Sequence, residues 1–152
     1  MSSDRPLRRD TFGMTHPARI LIVAHRTAAT PPLLAAVRDR ATLGRCVFTL
    51  LVPDSAGDAD TEHARDTLEL SIPLLEDAAG GRVEGVIGEA DALAAVKTAH
   101  EREPFDEAII STLPTNVSRW LRVDLPARVR RLGLPVTVVT PSRVDREFFK
   151  LA

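Results

Sequence analysis

Ile20-Leu21-Ile22-Val23-Ala24 is an unbroken apolar run between Arg19 and His25. A run this short, without alternation of polar and apolar positions, is typical of a strand buried on both faces of a parallel sheet. Similar runs occupy residues 47–52, 108–110 and 136–139. The segment 83–87 is more broken, because it contains Glu84 and Gly85, and it predicts an edge strand.

Helical patterns separate these runs. Pro31 and Pro32 can open the first helix, because proline is accepted in a first helical turn. Apolar positions recur at about every fourth residue from 64 to 75, and Asp91 has the position of an N-cap for residues 92–102. A last helix, residues 125–132, should end at Gly133 in a left-handed cap.

This alternation of strands and helices predicts a fold class. We expect a three-layer α/β/α, Rossmann-like domain with a five-stranded parallel sheet in the order 3-2-1-4-5, the most apolar strands lying inside. In such sheets a ligand crevice opens where connections leave the carboxyl ends of neighbouring strands in opposite directions. Here that point lies between the first and fourth strands.

Composition sets the class of protein. The chain has 152 residues, a net charge of −1 and a single cysteine, Cys46. A near-neutral chain has no overall field that would draw it to nucleic acid or an anionic membrane, so neither is expected as a partner. One cysteine excludes an internal disulfide framework and suits a reducing compartment, so a cytoplasmic location is expected.

The division of the chain follows from the same patterns. We expect a disordered tail over residues 1–17, one α/β domain over 18–141 and a C-terminal tail over 142–152. Met14 is an alternative start within the first tail.

Three stretches carry a resemblance to a known family. They are residues 19–25, Gly88 after the third strand, and residues 111–129 followed by 134–139. Together they resemble the universal stress protein family, particularly its divergent actinobacterial-type members, over roughly residues 18 to 141. The most specific piece is the stretch 111–129.

The resemblance implies a nucleotide crevice with altered chemistry. ATP-binding members carry an acidic residue after the first strand, where this chain has His25. Their phosphate loop has two glycines and then a Gly-Ser or Gly-Thr pair, at positions held here by Ser111, Pro114 and Asp124-Leu125. Gly88, Ala24 and Val52-Pro53, which match the adenine side of the pocket, are retained. The resemblance therefore implies adenosine or a monophosphate as ligand, bound weakly, rather than ATP as a cofactor.

The residues of the loop after the fourth strand also suggest that phosphate groups are not bound by backbone N–H groups. A phosphate cradle needs close backbone N–H groups, and Pro114 has none. The polar loop 112–118 and Arg119 could instead hold an anion through side chains. Asp124, before Leu125-Pro126, is expected to cap the last helix through its carboxylate. The predicted ligand-binding residues are Ala24, His25, Arg26, Val52, Pro53, Gly88, Ser111, Thr112, Leu113, Ser118, Arg119 and Asp124.

Three functions remain open. The first is a non-enzymatic regulatory module of stress-response type with a degenerate nucleotide crevice. The second is a dimerisation or protein-interaction module whose pocket is vestigial. The third, ranked last, is an adenine-nucleotide hydrolase-type enzyme, which would normally carry a glycine-rich loop where this chain reads His25-Arg26-Thr27. No catalytic or metal-binding residues are assigned.

A homodimer through the last strand is expected, since Val136, Val138 and Val139 form an edge run without an inward charge.

Overall fold

The computed structural model describes residues 17–24, 29–53, 58–111 and 124–139. The strands are β1 Ala18–Val23, β2 Cys46–Pro53, β3 Val83–Gly88, β4 Glu107–Ser111 and β5 Val136–Val139. The helices are α1 Pro31–Thr42, α2 Asp58–Ala79, α3 Ala92–Arg102 and α4 Leu125–Arg130. The predicted N-terminal tail, apart from Pro17, and all of the predicted C-terminal tail lie outside the described residues.

The five strands form one parallel sheet in the order β3-β2-β1-β4-β5, so the predicted fold class and strand order are confirmed. The central strands are the most apolar because helices cover both of their faces. Ile20, Leu21, Ile22 and Val23 of β1 are fully buried. The predicted edge position of β3 is confirmed as well.

Two cores lie on opposite faces of the sheet. Ile20, Ile22, Leu50 and their neighbours pack against α1 and α2. Leu21, Val23 and Leu51 pack against α3 and α4 on the other side. The alternation of side chains along each strand assigns successive residues to different faces. The chain therefore builds a three-layer α/β/α domain.

The helix ends follow local capping chemistry. Thr30 caps α1, its Oγ1 accepting a hydrogen bond of 3.4 Å from the Leu33 N–H, and Asp91 caps α3, its Oδ1 accepting one of 3.0 Å from the Leu93 N–H. After α4 the chain turns at Gly133, whose φ of 93° is accessible to glycine without a side-chain clash. The cap predicted at Asp91 is confirmed. The left-handed backbone predicted at Gly133 is present, but α4 ends at Arg130 with Arg131 as its C-cap, so Gly133 lies beyond the helix end. Thr30 was not predicted, although a Thr-Pro-Pro sequence is a recognisable helix start.

None of the helices in the described ranges is long and apolar enough to cross a membrane.

Candidate functional site

The candidate site is the carboxyl edge of the sheet at the β1–β4 boundary. The chain leaves β1 towards α1 on one face and leaves β4 towards α4 on the other. This is the reversal of connections at which α/β sheets open a crevice.

Three small or medium side chains meet at this edge on one face. Val23 pairs with Leu51 and with Ile110, so the next residues along each strand, Ala24, Val52 and Ser111, lie side by side. Ala24 and Val52 belong to the core on the α1–α2 face, and alternation from Ile109 places Ser111 on the same face. The structure thus brings together three of the predicted site residues.

Ser111 supplies the polar group of this trio. Its side chain is only 4% exposed, and its hydroxyl has no hydrogen-bond partner among the described residues. A buried hydroxyl without a partner is costly, at about 1–3 kcal/mol. Ala24 and Val52 beside it are apolar and as deeply buried, at 2% exposed each.

Gly88 has a packing role. A Cβ built on Gly88 would lie 2.6 Å from the Ala95 Cβ and 2.8 Å from a Leu51 methyl group. The missing side chain lets α3 approach the ends of β2 and β3, where Gly88 pairs with Pro53. This close approach accounts for glycine here without any contact to a ligand.

The amino terminus of α1 has few hydrogen-bond donors left for an anion. Pro31 and Pro32 occupy its first two positions and carry no N–H. The next two N–H groups, of Leu33 and Leu34, bond to the Oγ1 and the carbonyl oxygen of Thr30. A phosphate would therefore find no backbone donor in the first turn of this helix.

The amino terminus of α3 is similarly occupied, because the Asp91 carboxylate accepts the Leu93 N–H. Glu89 lies nearby and accepts a 2.6 Å hydrogen bond from the Thr98 hydroxyl. Two carboxylates at this point repel a bound anion.

Asp124 precedes α4 as predicted, but its predicted capping hydrogen bond is wrong. The carboxylate makes no cap hydrogen bond, and the backbone adopts the left-handed conformation, with φ 59° and ψ 44°. An N-cap normally has an extended backbone, which turns its side chain towards the first N–H groups, and the left-handed backbone does not. Asp124 instead makes a sharp turn into α4, and its carboxylate is exposed.

Six predicted site residues lie outside the described part of the chain, and their positions stay predictions. They are His25, Arg26, Thr112, Leu113, Ser118 and Arg119.

The remaining polar groups have structural explanations. His100 accepts a 3.0 Å hydrogen bond at Nδ1 from the Phe105 N–H, which closes the end of α3. Cys46 is half-buried, and burial raises the pKa of its thiol, which disfavours the nucleophilic thiolate. Within the described ranges no group of three or more His, Cys, Asp or Glu side chains is arranged to hold a metal ion.

Comparison with known proteins gives no family. Neither a protein-family model nor a curated protein matches the sequence. The fold and its edge define a Rossmann-like α/β/α domain, and the universal stress protein assignment remains a proposal.

Proposed function

We propose that this protein is a non-enzymatic regulatory module of universal-stress-protein type, whose carboxyl-edge crevice binds adenosine or AMP more readily than ATP. The observation that carries the proposal is the trio Ala24, Val52 and Ser111 at the strand-order reversal. The trio supplies two apolar side chains and one hydroxyl that has no partner among the described residues, a combination that suits the floor of a nucleobase pocket.

The preference against a triphosphate follows from the helix ends. Nucleotide sites normally direct free backbone N–H groups of a helix start at the phosphates. In α1 those groups are removed by two prolines or used by Thr30, and in α3 the Asp91 carboxylate takes one. Asp124 adds a further exposed negative charge at the same edge. At the starts of α1 and α3 each added phosphate charge therefore gains little, and near Asp124 it meets repulsion.

Calorimetry with adenosine, AMP and Mg²⁺-ATP tests the proposal. We expect ATP to bind more weakly than about 100 µM, since the sequence lacks the glycines of a backbone phosphate cradle. Adenosine or AMP should bind more tightly than ATP. Micromolar ATP binding, or no binding of any of the three ligands, would contradict the proposal.

Removal of the Asp124 charge adds a sharper test. Asp124→Gly and Asp124→Asn should both strengthen binding of AMP and ATP while leaving adenosine nearly unchanged. Asp39→Asn is the matched control, because Asp39 is exposed near the other end of α1. Equal gains for adenosine would show that Asp124 does not act on a phosphate.

Hydrolysis is not expected from this site. ATP turnover should not exceed a buffer blank, and turnover that His25→Ala abolishes would favour the hydrolase alternative. The interaction-module alternative rests on a separate feature, the edge strand β5 with exposed Thr137 and Val138.

A further inference from the structure

A second depression lies at the opposite, amino end of the sheet, on the α3 face. We call it the amino-end groove and define it by Thr49, Glu84 and Glu103, which line both of its parts. The larger part has a volume of about 390 Å³ and is also lined by Val86, Ala99, Arg102 and Phe105. The smaller part, about 180 Å³, reaches Arg19, Val47 and Arg82.

Helix length explains why this part of the sheet is open. The eight residues of β2 extend about 26 Å, whereas the eleven residues of α3 cover only about 16 Å. On the other face the 22 residues of α2 extend about 33 Å and can cover the strand. Val47, near the amino end of β2, accordingly remains 39% exposed although it lies on a face of the sheet.

Thr49 shows that the groove is polar at its floor. It pairs with Glu84 across β2 and β3, so the two side chains stand next to each other on the α3 face. Thr49 is 7% exposed, and its hydroxyl has no hydrogen-bond partner among the described residues. A buried hydroxyl on a residue that lines a groove is most easily satisfied by a ligand or by water.

Some of the charged side chains around the groove form ion pairs with each other, and others form none among the described residues. Arg19 bonds to Glu103 at 2.6 Å and to the Pro104 carbonyl oxygen at 3.2 Å, and its guanidinium lies 5.4 Å from the centre of the Phe105 ring. Glu84 and Arg102 form no ion pair within the described ranges. The larger part of the groove therefore offers one carboxylate and one guanidinium without an ion pair among the described residues, beside an apolar wall.

We propose that the larger part of the amino-end groove binds a free apolar α-amino acid. The ammonium group donates to Glu84 and to the Thr49 hydroxyl, and the carboxylate accepts from Arg102. The apolar side chain of the ligand packs against Val86, Ala99 and Phe105. This zwitterion is complementary to the three available groups, and the site is independent of the adenosine crevice at the other end of the strands. Because the groove is open to water, the expected affinity is millimolar.

The test is a titration of the full-length ¹⁵N-labelled protein with L-leucine and L-phenylalanine, followed by amide chemical shifts. Shift changes should concentrate at residues 47–49, 84–86 and 99–105. L-Leucinamide, which lacks the carboxylate, and 4-methylpentanoate, which lacks the ammonium group, should each bind at least about fivefold more weakly. Equal binding of all three ligands, or no shift change at tens of millimolar leucine, would overturn the proposal.

Variants of the groove residues distinguish a loss of leucine binding from a loss of stability. Thr49→Val keeps the shape of the side chain and removes only the hydroxyl, so thermal stability should be unchanged or higher while leucine binds about fivefold more weakly. Glu84→Gln and Arg102→Gln should weaken leucine by similar factors. Arg82→Gln, an exposed change in the smaller part, is the matched control and should alter binding less than about twofold. Leucine binding that all three groove variants leave unchanged would show that the ligand occupies another place.

Discussion

At Asp124 the backbone conformation affects the stability of the protein more than the carboxylate does. Its φ of 59° places a Cβ where L-residues clash with the neighbouring carbonyl, at about 1–2 kcal/mol for a residue without a local hydrogen bond. Glycine has no such penalty. Asp124→Gly should therefore leave the free energy of unfolding unchanged or raise it by up to about 0.5 kcal/mol, measured by urea denaturation.

Asp124→Ala is the informative comparison at the same site. Alanine keeps the Cβ without the local hydrogen bonding available to Asp. The free energy of unfolding of the alanine variant should therefore be about 1 kcal/mol lower than that of the glycine variant. If the glycine variant instead loses stability relative to Asp124, the carboxylate caps α4 after all.

Gly88 is a residue whose lack of a side chain matters to packing. Gly88→Ala would place a Cβ 2.6 Å from the Ala95 Cβ, so β3 and α3 must separate by several tenths of an ångström. We expect a loss of about 1–3 kcal/mol in the free energy of unfolding. The matched control is Gly81→Ala, where a Cβ meets no atom within 4 Å, and it should be nearly neutral. A stable Gly88→Ala protein would show that α3 can move without cost.

At the scale of elements, α3 depends on its first residue. Asp91→Ala removes the acceptor of the Leu93 N–H and should cost about 1 kcal/mol in thermal or urea unfolding. Asp91→Asn retains an equivalent acceptor and should cost much less. A similar loss in both variants would mean that the negative charge of Asp91, rather than its hydrogen bond, stabilises the helix start.

The elements also show which parts of the structure a sequence can predict. The order of the strands followed from burial, because a central parallel strand has both faces covered and reads as a continuous apolar run. Asp91 could be predicted because a cap is a local interaction, and Gly133 because glycine readily adopts a left-handed backbone, although α4 ends before it, at Arg130. Asp124 was placed correctly at the start of α4, but a residue type that suits a cap does not reveal a left-handed backbone.

The two candidate sites also differ in how far the sequence can predict them. Ala24, Val52 and Ser111 could be predicted as neighbours because parallel strands bring their carboxyl ends to one edge. The amino-end groove could not, since it depends on the register that pairs Thr49 with Glu84 and on α3 being too short to cover β2. Neither the register of β2 with β3 nor the length of α3 relative to β2 is encoded in a local motif.

At the scale of the whole molecule, β5 is an outer strand of the sheet, and we predict that a homodimer forms through it. Thr137 and Val138 are exposed on it, with Val138 at 38%. An outer strand of β-branched residues without charge favours pairing with the same strand of a second copy. We expect the full-length protein to sediment as a dimer at high micromolar concentration. Residues beyond Pro141 include Phe148, Phe149 and Leu151, so truncation after Pro141 should weaken the dimer.

Val138→Lys tests this interface directly. A lysine on each of two paired strands brings like charges together and requires their desolvation, so the variant should be monomeric at concentrations where the parent chain is dimeric. Leu70→Lys is the matched control, because Leu70 is 74% exposed on α2, which packs against β2 and β3, and this change should leave assembly intact. Circular dichroism should show the same helix content in both variants, since neither position is buried. A parent protein that is monomeric at high micromolar concentration, or a Val138→Lys protein that still forms the dimer, would place the contact elsewhere and leave β5 as a solvent-facing edge.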